Sequence, residues 1–217
     1  MITHLLYLHG FRSSPQSSKA QYLAQLLEAR YPKIIWCCPQ LPPSPKSAGE
    51  LILNLTQDWP VHSSAVVGSS LGGFYANWIA KEKGIKSVLI NPACHPARDL
   101  KNHIGEQTVW QSAQESFYFR PEYIDELLSM SDRQKDLSAA PKQAKGERPL
   151  KHHSLNQLSP QLLMACTGDE VLDWQEMVSF FSGADHYIVQ GSDHAMSDFH
   201  NHASYALDFL MKNFNIN

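Results

Sequence analysis

Five residues, Gly68-Ser69-Ser70-Leu71-Gly72, hold a serine hydroxyl between glycines two positions away on either side. G-x-S-x-G carries chemistry when it joins a strand to a helix. The turn is then tight and strained, and a side chain two positions from the serine would collide with neighbouring backbone. Here the apolar run Ala65-Val66-Val67 precedes it and an amphipathic run from Leu71 to Lys83 follows. A helix starting at the serine turns its positive end toward an alkoxide or an oxyanion. A phosphate-binding loop would need G-x-x-x-x-G-K-[ST], which this segment lacks. The remaining alternative is a plain Gly/Ser connection. The chemistry to be expected is attack by Ser70 on a carbonyl carbon.

A serine hydroxyl is a weak nucleophile without a base. Where G-x-S-x-G serves as an elbow, the partners follow in the chain order serine, acid, histidine. Gly191-Ser192-Asp193-His194 follows the last strand-like run and makes His194 the candidate base. The chain has 11 histidines, so position decides, not presence. His200 and His202 fall at the start of the last helix and read as surface residues. A metal site built from His194, Asp198, His200 and His202 has no spacing that fixes a ligand geometry. Thr167-Gly168-Asp169-Glu170-Val171-Leu172-Asp173 offers three carboxylates for the acid. Asp169 stands soonest after its strand, behind a glycine, and is the candidate. Glu170 and Asp173 stay open, although Asp173 also suits a helix N-cap. An oxyanion needs two backbone N–H donors. Leu71, next after the serine, supplies one. Phe11, in the loop Leu8-His9-Gly10-Phe11, supplies the other, with Gly10 letting the backbone bend toward the site. His9 reads as a histidine that braces this loop.

The elements that must position these residues alternate. Apolar runs at 5–8, 34–38, 65–67, 87–90, 162–166 and 187–189 read as strands. Helical patterns lie between them. Ser18-x-x-Gln21, Ser47-x-x-Glu50 and Asp173-x-x-Glu176 have capping-box spacing. The helix after Ser70 ends at Lys81, Lys83 and Gly84, a basic last turn with a C-terminal glycine. The last helix is marked by Ala203, Leu207, Leu210 and Phe214. Such alternation implies an α/β fold: a mostly parallel six-stranded sheet with helices on both faces, three layers in one domain. Ligands in such sheets bind at the carboxyl ends of the strands, where Ser70, Asp169, His194 and Phe11 all fall. From about 94 to 160 the pattern becomes polar and irregular. It reads as a lid-like insertion with a short helix from Pro121 and an exposed excursion over 131–153.

A length of 217 residues suits one domain with a sizeable core. A net charge of −3 offers no field for nucleic acid or an anionic membrane. No apolar run is long enough to span a bilayer, and the first residues lack a signal-peptide pattern, so a cytoplasmic location is expected. Cys37, Cys38, Cys94 and Cys166 form no C-x-x-C pair and read as reduced thiols in or beside the core. No exposed apolar stripe asks for a partner, so a monomer or weak homodimer is expected.

Six blocks in order, Leu6-Tyr7-Leu8-His9-Gly10-Phe11 with Ser13-Ser14-Pro15, Pro39-Gln40-Leu41-Pro42-Pro43, Val67 to Gly73, Asn91-Pro92-Ala93, Thr167 to Asp173 and His194-Ala195, resemble the YqiA/YcfP-type small bacterial esterases. The resemblance spans almost the whole chain. It implies an α/β-hydrolase fold, a small-molecule acyl ester or acyl-CoA thioester as substrate, and no cofactor. It also implies Ser70 as nucleophile, Asp169 as acid and His194 as base, in agreement with the residue-level reading. The segment 131–153 is longer and more polar than this family leads one to expect.

Overall fold

The computed structural model describes residues 1–138 and 159–212 of the chain. The order is β1 (His4–Leu8), α1 (Ser18–Arg30), β2 (Ile35–Cys37), α2 (Pro45–Thr56), β3 (Ser64–Ser69), α3 (Leu71–Lys83), β4 (Lys86–Ile90), α4 (Pro96–Leu100), β5 (Gly105–Val109), β6 (Ser112–Phe119), α5 (Glu122–Ser138), β7 (Gln161–Cys166), α6 (Trp174–Phe180), β8 (Asp185–Val189) and α7 (Ala203–Met211). Six strands make one sheet in the order β2-β1-β3-β4-β7-β8, every neighbouring pair parallel. The expected α/β architecture with helices on both faces is therefore present.

The pleat explains why the central strands are continuously apolar. Successive side chains leave a strand on opposite faces, and both faces here are covered. Leu6, Leu8, Val66, Leu89 and Leu163 point to one cluster, where Ile52 of α2, Trp78 of α3 and Leu127 of α5 pack on them. Leu5, Tyr7, Val67, Val88 and Met164 point to the other, under Leu23 of α1 and Leu207 of α7.

Two helix starts differ from their sequence reading. The N-cap of α1 is Ser17, with no side-chain cap, and Gln21 sends its amide to Pro15 O at 2.8 Å. The N-cap of α2 is Ser44, whose Oγ accepts from Ser47 N at 3.1 Å, with Pro45 as the first helical residue. Proline at that position has the helical φ built in and no N–H to waste, so it draws the start three residues ahead of Ser47. Asp173 does cap α6, accepting from Gln175 N at 2.9 Å.

The segment expected to be irregular is largely ordered over 96–138. It holds α4, an antiparallel β5–β6 hairpin that forms its own two-stranded sheet, and α5. The hairpin escaped a reading based on hydrophobicity because β5 has polar side chains at Glu106, Gln107 and Thr108 and only the end of β6, at Phe117 and Phe119, is apolar on its inward side. Gln107, for one, satisfies itself by donating to His103 O at 2.8 Å. Likewise α5 runs well past Leu128. Its polar continuation is anchored by the buried Gln134, whose Oε1 accepts from Asn77 Nδ2 at 2.6 Å, and by Arg133 on Glu82. The part of the 131–153 expectation that falls on 139–153 lies outside the described residues.

Candidate active site

Ser70 sits on the turn between β3 and α3, at φ 57° and ψ −122°. A non-glycine residue held there stores roughly 1–3 kcal/mol of strain, and the surroundings hold it firmly. Its N–H donates to Ile90 O at 2.9 Å, and its carbonyl accepts from Gly73 N at 2.9 Å and Ala93 N at 3.1 Å. The flanking glycines are required by contact. A Cβ on Gly68 would lie 2.1 Å from Gly72 O, and one on Gly72 would lie 2.0 Å from Leu8 O.

The loop after β8 brings His194 onto this serine. His194 Nε2 lies 2.9 Å from Ser70 Oγ, and Nδ1 lies 2.8 Å from Asp169 Oδ2. The network assigns the tautomer: Nδ1 donates to the carboxylate, which leaves Nε2 to accept the serine proton. The Asp169 side chain is wholly buried, and that of His194 is 19% exposed. Asp169 is itself fixed, since its Oδ1 accepts from Val171 N at 2.9 Å and Leu172 N at 2.8 Å. The three carboxylates left open by the sequence thus separate. Glu170 Oε2 accepts from His194 N at 2.9 Å, and Asp173 caps α6.

The loop carrying His194 needs external support. Gly191, Ser192 and Met196 all have positive φ, at 70°, 59° and 45°. Two side chains that sequence reasoning did not single out for this task supply the support. Asn91, at the end of β4 and 0% exposed, donates from Nδ2 to His194 O at 2.9 Å and Asp193 O at 3.2 Å. Its Oδ1 accepts from Cys166 N at 2.8 Å, which ties the loop to the end of β7. Lys19 of α1 reaches in from the other face and donates from Nζ to Ala195 O. Burial lowers the Lys19 ammonium to about 8, against the pull of the nearby Asp193. The advance signs of Asn91 were its place in the block Asn91-Pro92-Ala93 and a polar residue ending an otherwise apolar buried strand. Lys19 gave none.

Leu71 is the first residue of α3, so its N–H is one that the helix leaves without an internal acceptor. Gly10 stands against the serine: a Cβ there would meet Ser70 Cβ at 3.2 Å and Oγ at 3.7 Å. That contact brings the Gly10-Phe11 backbone to the side of Ser70. His9 fixes this loop, as expected of a bracing residue. Its Nε2 accepts from Leu41 N at 3.0 Å, so its Nδ1 carries the proton and donates to Gly10 O at 3.0 Å. Burial lowers its pKa, in keeping with a neutral ring. A cavity of about 640 Å³ opens beside Gly10, Phe11 and Leu71 and runs under the β5–β6 hairpin.

Among the described residues no three His, Cys, Asp or Glu side chains form a metal-binding group. His202 instead pairs with Asp198 at 3.1 Å and lies 3.1 Å from the Tyr187 hydroxyl. Burial pushes the Cys94 thiol up to about 12 and raises that of Cys166, so neither thiol is poised as a nucleophile. No helix among the described residues is long and apolar enough to cross a membrane.

The family model described as "Uncharacterised protein family (UPF0227)" matches residues 4–211. Solved structures similar to this chain include alpha/beta hydrolase domain-containing protein 10 from mouse, at 15% identity and TM-score 0.65 over 95% of this chain and 89% of that one. Est1E from Butyrivibrio proteoclasticus aligns at 13% identity and TM-score 0.65, covering 97% and 89%. Carboxylesterase CesB from Bacillus subtilis aligns at 16% and 0.57, covering 98% and 85%. At such identities the likeness speaks to the fold, which is that of the α/β hydrolases.

Proposed function

Because the chain belongs to the UPF0227 family, of the YqiA/YcfP type, and carries the α/β-hydrolase fold, we propose that it hydrolyses acyl esters through an acyl-serine intermediate on Ser70. The observation that carries this reading is the unbroken hydrogen-bonded line from Ser70 Oγ through His194 to Asp169, at 2.9 and 2.8 Å.

Ser70 Oγ attacks the ester carbonyl carbon while His194 Nε2 takes the hydroxyl proton. The carbonyl oxygen becomes an oxyanion held by the N–H groups of Leu71 and Phe11, each such donor being worth about 10²–10³ in rate. Asp169 keeps Nδ1 protonated and stabilises the imidazolium as it forms. The carbon–oxygen bond to the alcohol breaks, and His194 returns the proton to the departing oxygen. Water then enters, gives a proton to His194 and attacks the acyl carbon. Collapse of the second tetrahedral intermediate frees the carboxylic acid and restores the Ser70 hydroxyl. A thioester opens by the same steps, with a thiol as leaving group. Comparing p-nitrophenyl esters with acyl-CoA of matched chain length ranks the two.

Ser70→Ala tests the reading. Turnover of a p-nitrophenyl ester falls by at least about 10³-fold if Ser70 is the nucleophile. Turnover at the wild-type rate would sink the proposal.

A further inference from the structure

We infer that the cavity under the β5–β6 hairpin receives the acyl part of the substrate, and that this acyl group is neutral, apolar and larger than acetyl. The inference rests on Ser70 acting as proposed above and goes on to name what Ser70 acylates itself with.

Direction comes from the proton. His194 must hand its proton to the departing oxygen, so that oxygen lies within hydrogen-bond reach of Nε2, about 2.6–3.2 Å. The leaving group therefore exits on the His194 side. The cavity lies on the other side. Phe11 and Leu71, assigned to the oxyanion, both line it, and none of its lining comes from the loop of residues 191–202. A carbonyl on Ser70, with its oxygen on those two N–H groups and its leaving oxygen at Nε2, has its third substituent directed away from His194, the side on which this cavity opens.

The lining then selects the chemistry. Leu41, Pro42, Leu71, Tyr75 and Phe117 give an apolar wall, with Tyr75 only 2% exposed. Glu115 stands exposed on the rim and opposes an anionic tail. Among the described lining residues the one cation is Arg12, and its guanidinium is held toward the hairpin. It donates to Thr108 O and Thr108 Oγ1, both at 2.8 Å, and lies 4.0 Å over the Trp110 ring. A volume of about 640 Å³ falls within the ~300–1,000 Å³ of small-molecule sites, and an acetyl group leaves most of it empty.

The same contacts fix the roof of the cavity to the oxyanion loop. Trp110 N donates to Arg12 O at 2.7 Å, and the Phe11 ring packs edge-on against Phe117 and Phe119. The hairpin is thereby the wall of the acyl site, held in register with the loop that meets the carbonyl oxygen.

The test is kcat/KM for p-nitrophenyl acetate, octanoate and monosuccinate in the wild type, in Val109→Trp and in Gln114→Trp. Both substitutions add bulk to the lining from the hairpin, and Gln114 is exposed, so it serves should Val109→Trp misfold. The wild type favours octanoate over acetate by about tenfold or more, with monosuccinate the poorest substrate. Either tryptophan lowers the octanoate-to-acetate ratio by about tenfold. An unchanged ratio in both variants, or a preference for monosuccinate, overturns the acyl assignment while leaving Ser70 as nucleophile intact. Hydrolysis of all three esters by Ser70→Ala at wild-type rates would instead remove the reading on which the assignment rests.

Discussion

Asp169, Glu170 and Asp173 lie within five positions and have the same chemistry, yet each does something different: one meets the His194 ring, one its backbone N–H, and one caps a helix. Position along the chain was enough to favour Asp169, because it comes first after the strand. The job of Glu170 depends on a contact 24 residues away, which spacing does not encode. Asn91 is the stronger case of the same kind, since its partners are 75 to 103 residues distant. Its amide fills every role at one point: an acceptor for the end of β7, two donors for the base loop, and a backbone at φ 40° that asparagine tolerates better than most residues. Asn91→Asp keeps the acceptor and removes both donors. It is expected to lower kcat by at least about tenfold with KM changed less than about twofold, because the loop that positions His194 loosens while the substrate cavity is untouched. A loss confined to thermal stability, with kcat intact, would show that Asn91 braces the fold alone.

At the scale of elements, the six strands of the main sheet and the helices between them follow from hydrophobic period, and the helix ends do not. Ser47-x-x-Glu50 has the spacing of a capping box, but Ser44 followed by Pro45 competes for the same helix start and wins. The second half of α5 is held by polar side chains paired at a distance, and the hairpin by Arg12 on Thr108 together with Phe117 and Phe119 against Phe11, contacts about 90 to 110 residues apart that apolar periodicity does not encode. Helix α1 makes an unexpected contribution through Lys19, which crosses from the helix to the loop bearing His194. The ammonium is held down at about 8 in the fold against 10.5 in a free chain. Between those values the unfolded chain binds the extra proton, so this group's contribution to stability rises with pH. It is complete above about 10.5 and is lost as pH falls through about 8. Measured by thermal melts, the stability of the wild type relative to Lys19→Met should grow across that window. A difference that is flat or falls with pH would contradict the burial of a charged Lys19.

For the whole molecule, one parallel sheet brings every residue of the candidate site to one end of its strands. Phe11 follows β1, Ser70 follows β3, Asp169 follows β7 and His194 follows β8, all beyond the carboxyl ends of the strands, where α/β sheets hold their ligands. That arrangement was legible because parallel order with helical crossovers leaves few ways to place post-strand loops. What surrounds the site was less so, since Asn91, Lys19 and the hairpin act across sequence distances that only the folded chain closes. We propose that this shared end of the sheet makes Ser70, and no other side chain, nucleophilic. Labelling the intact protein with a fluorophosphonate and mapping the adduct by peptide mass spectrometry decides the point. The adduct is expected on Ser70 alone, with labelling slowed by at least about 10³-fold in His194→Ala. An adduct on another residue, or labelling of Ser70 that is indifferent to His194, would contradict it.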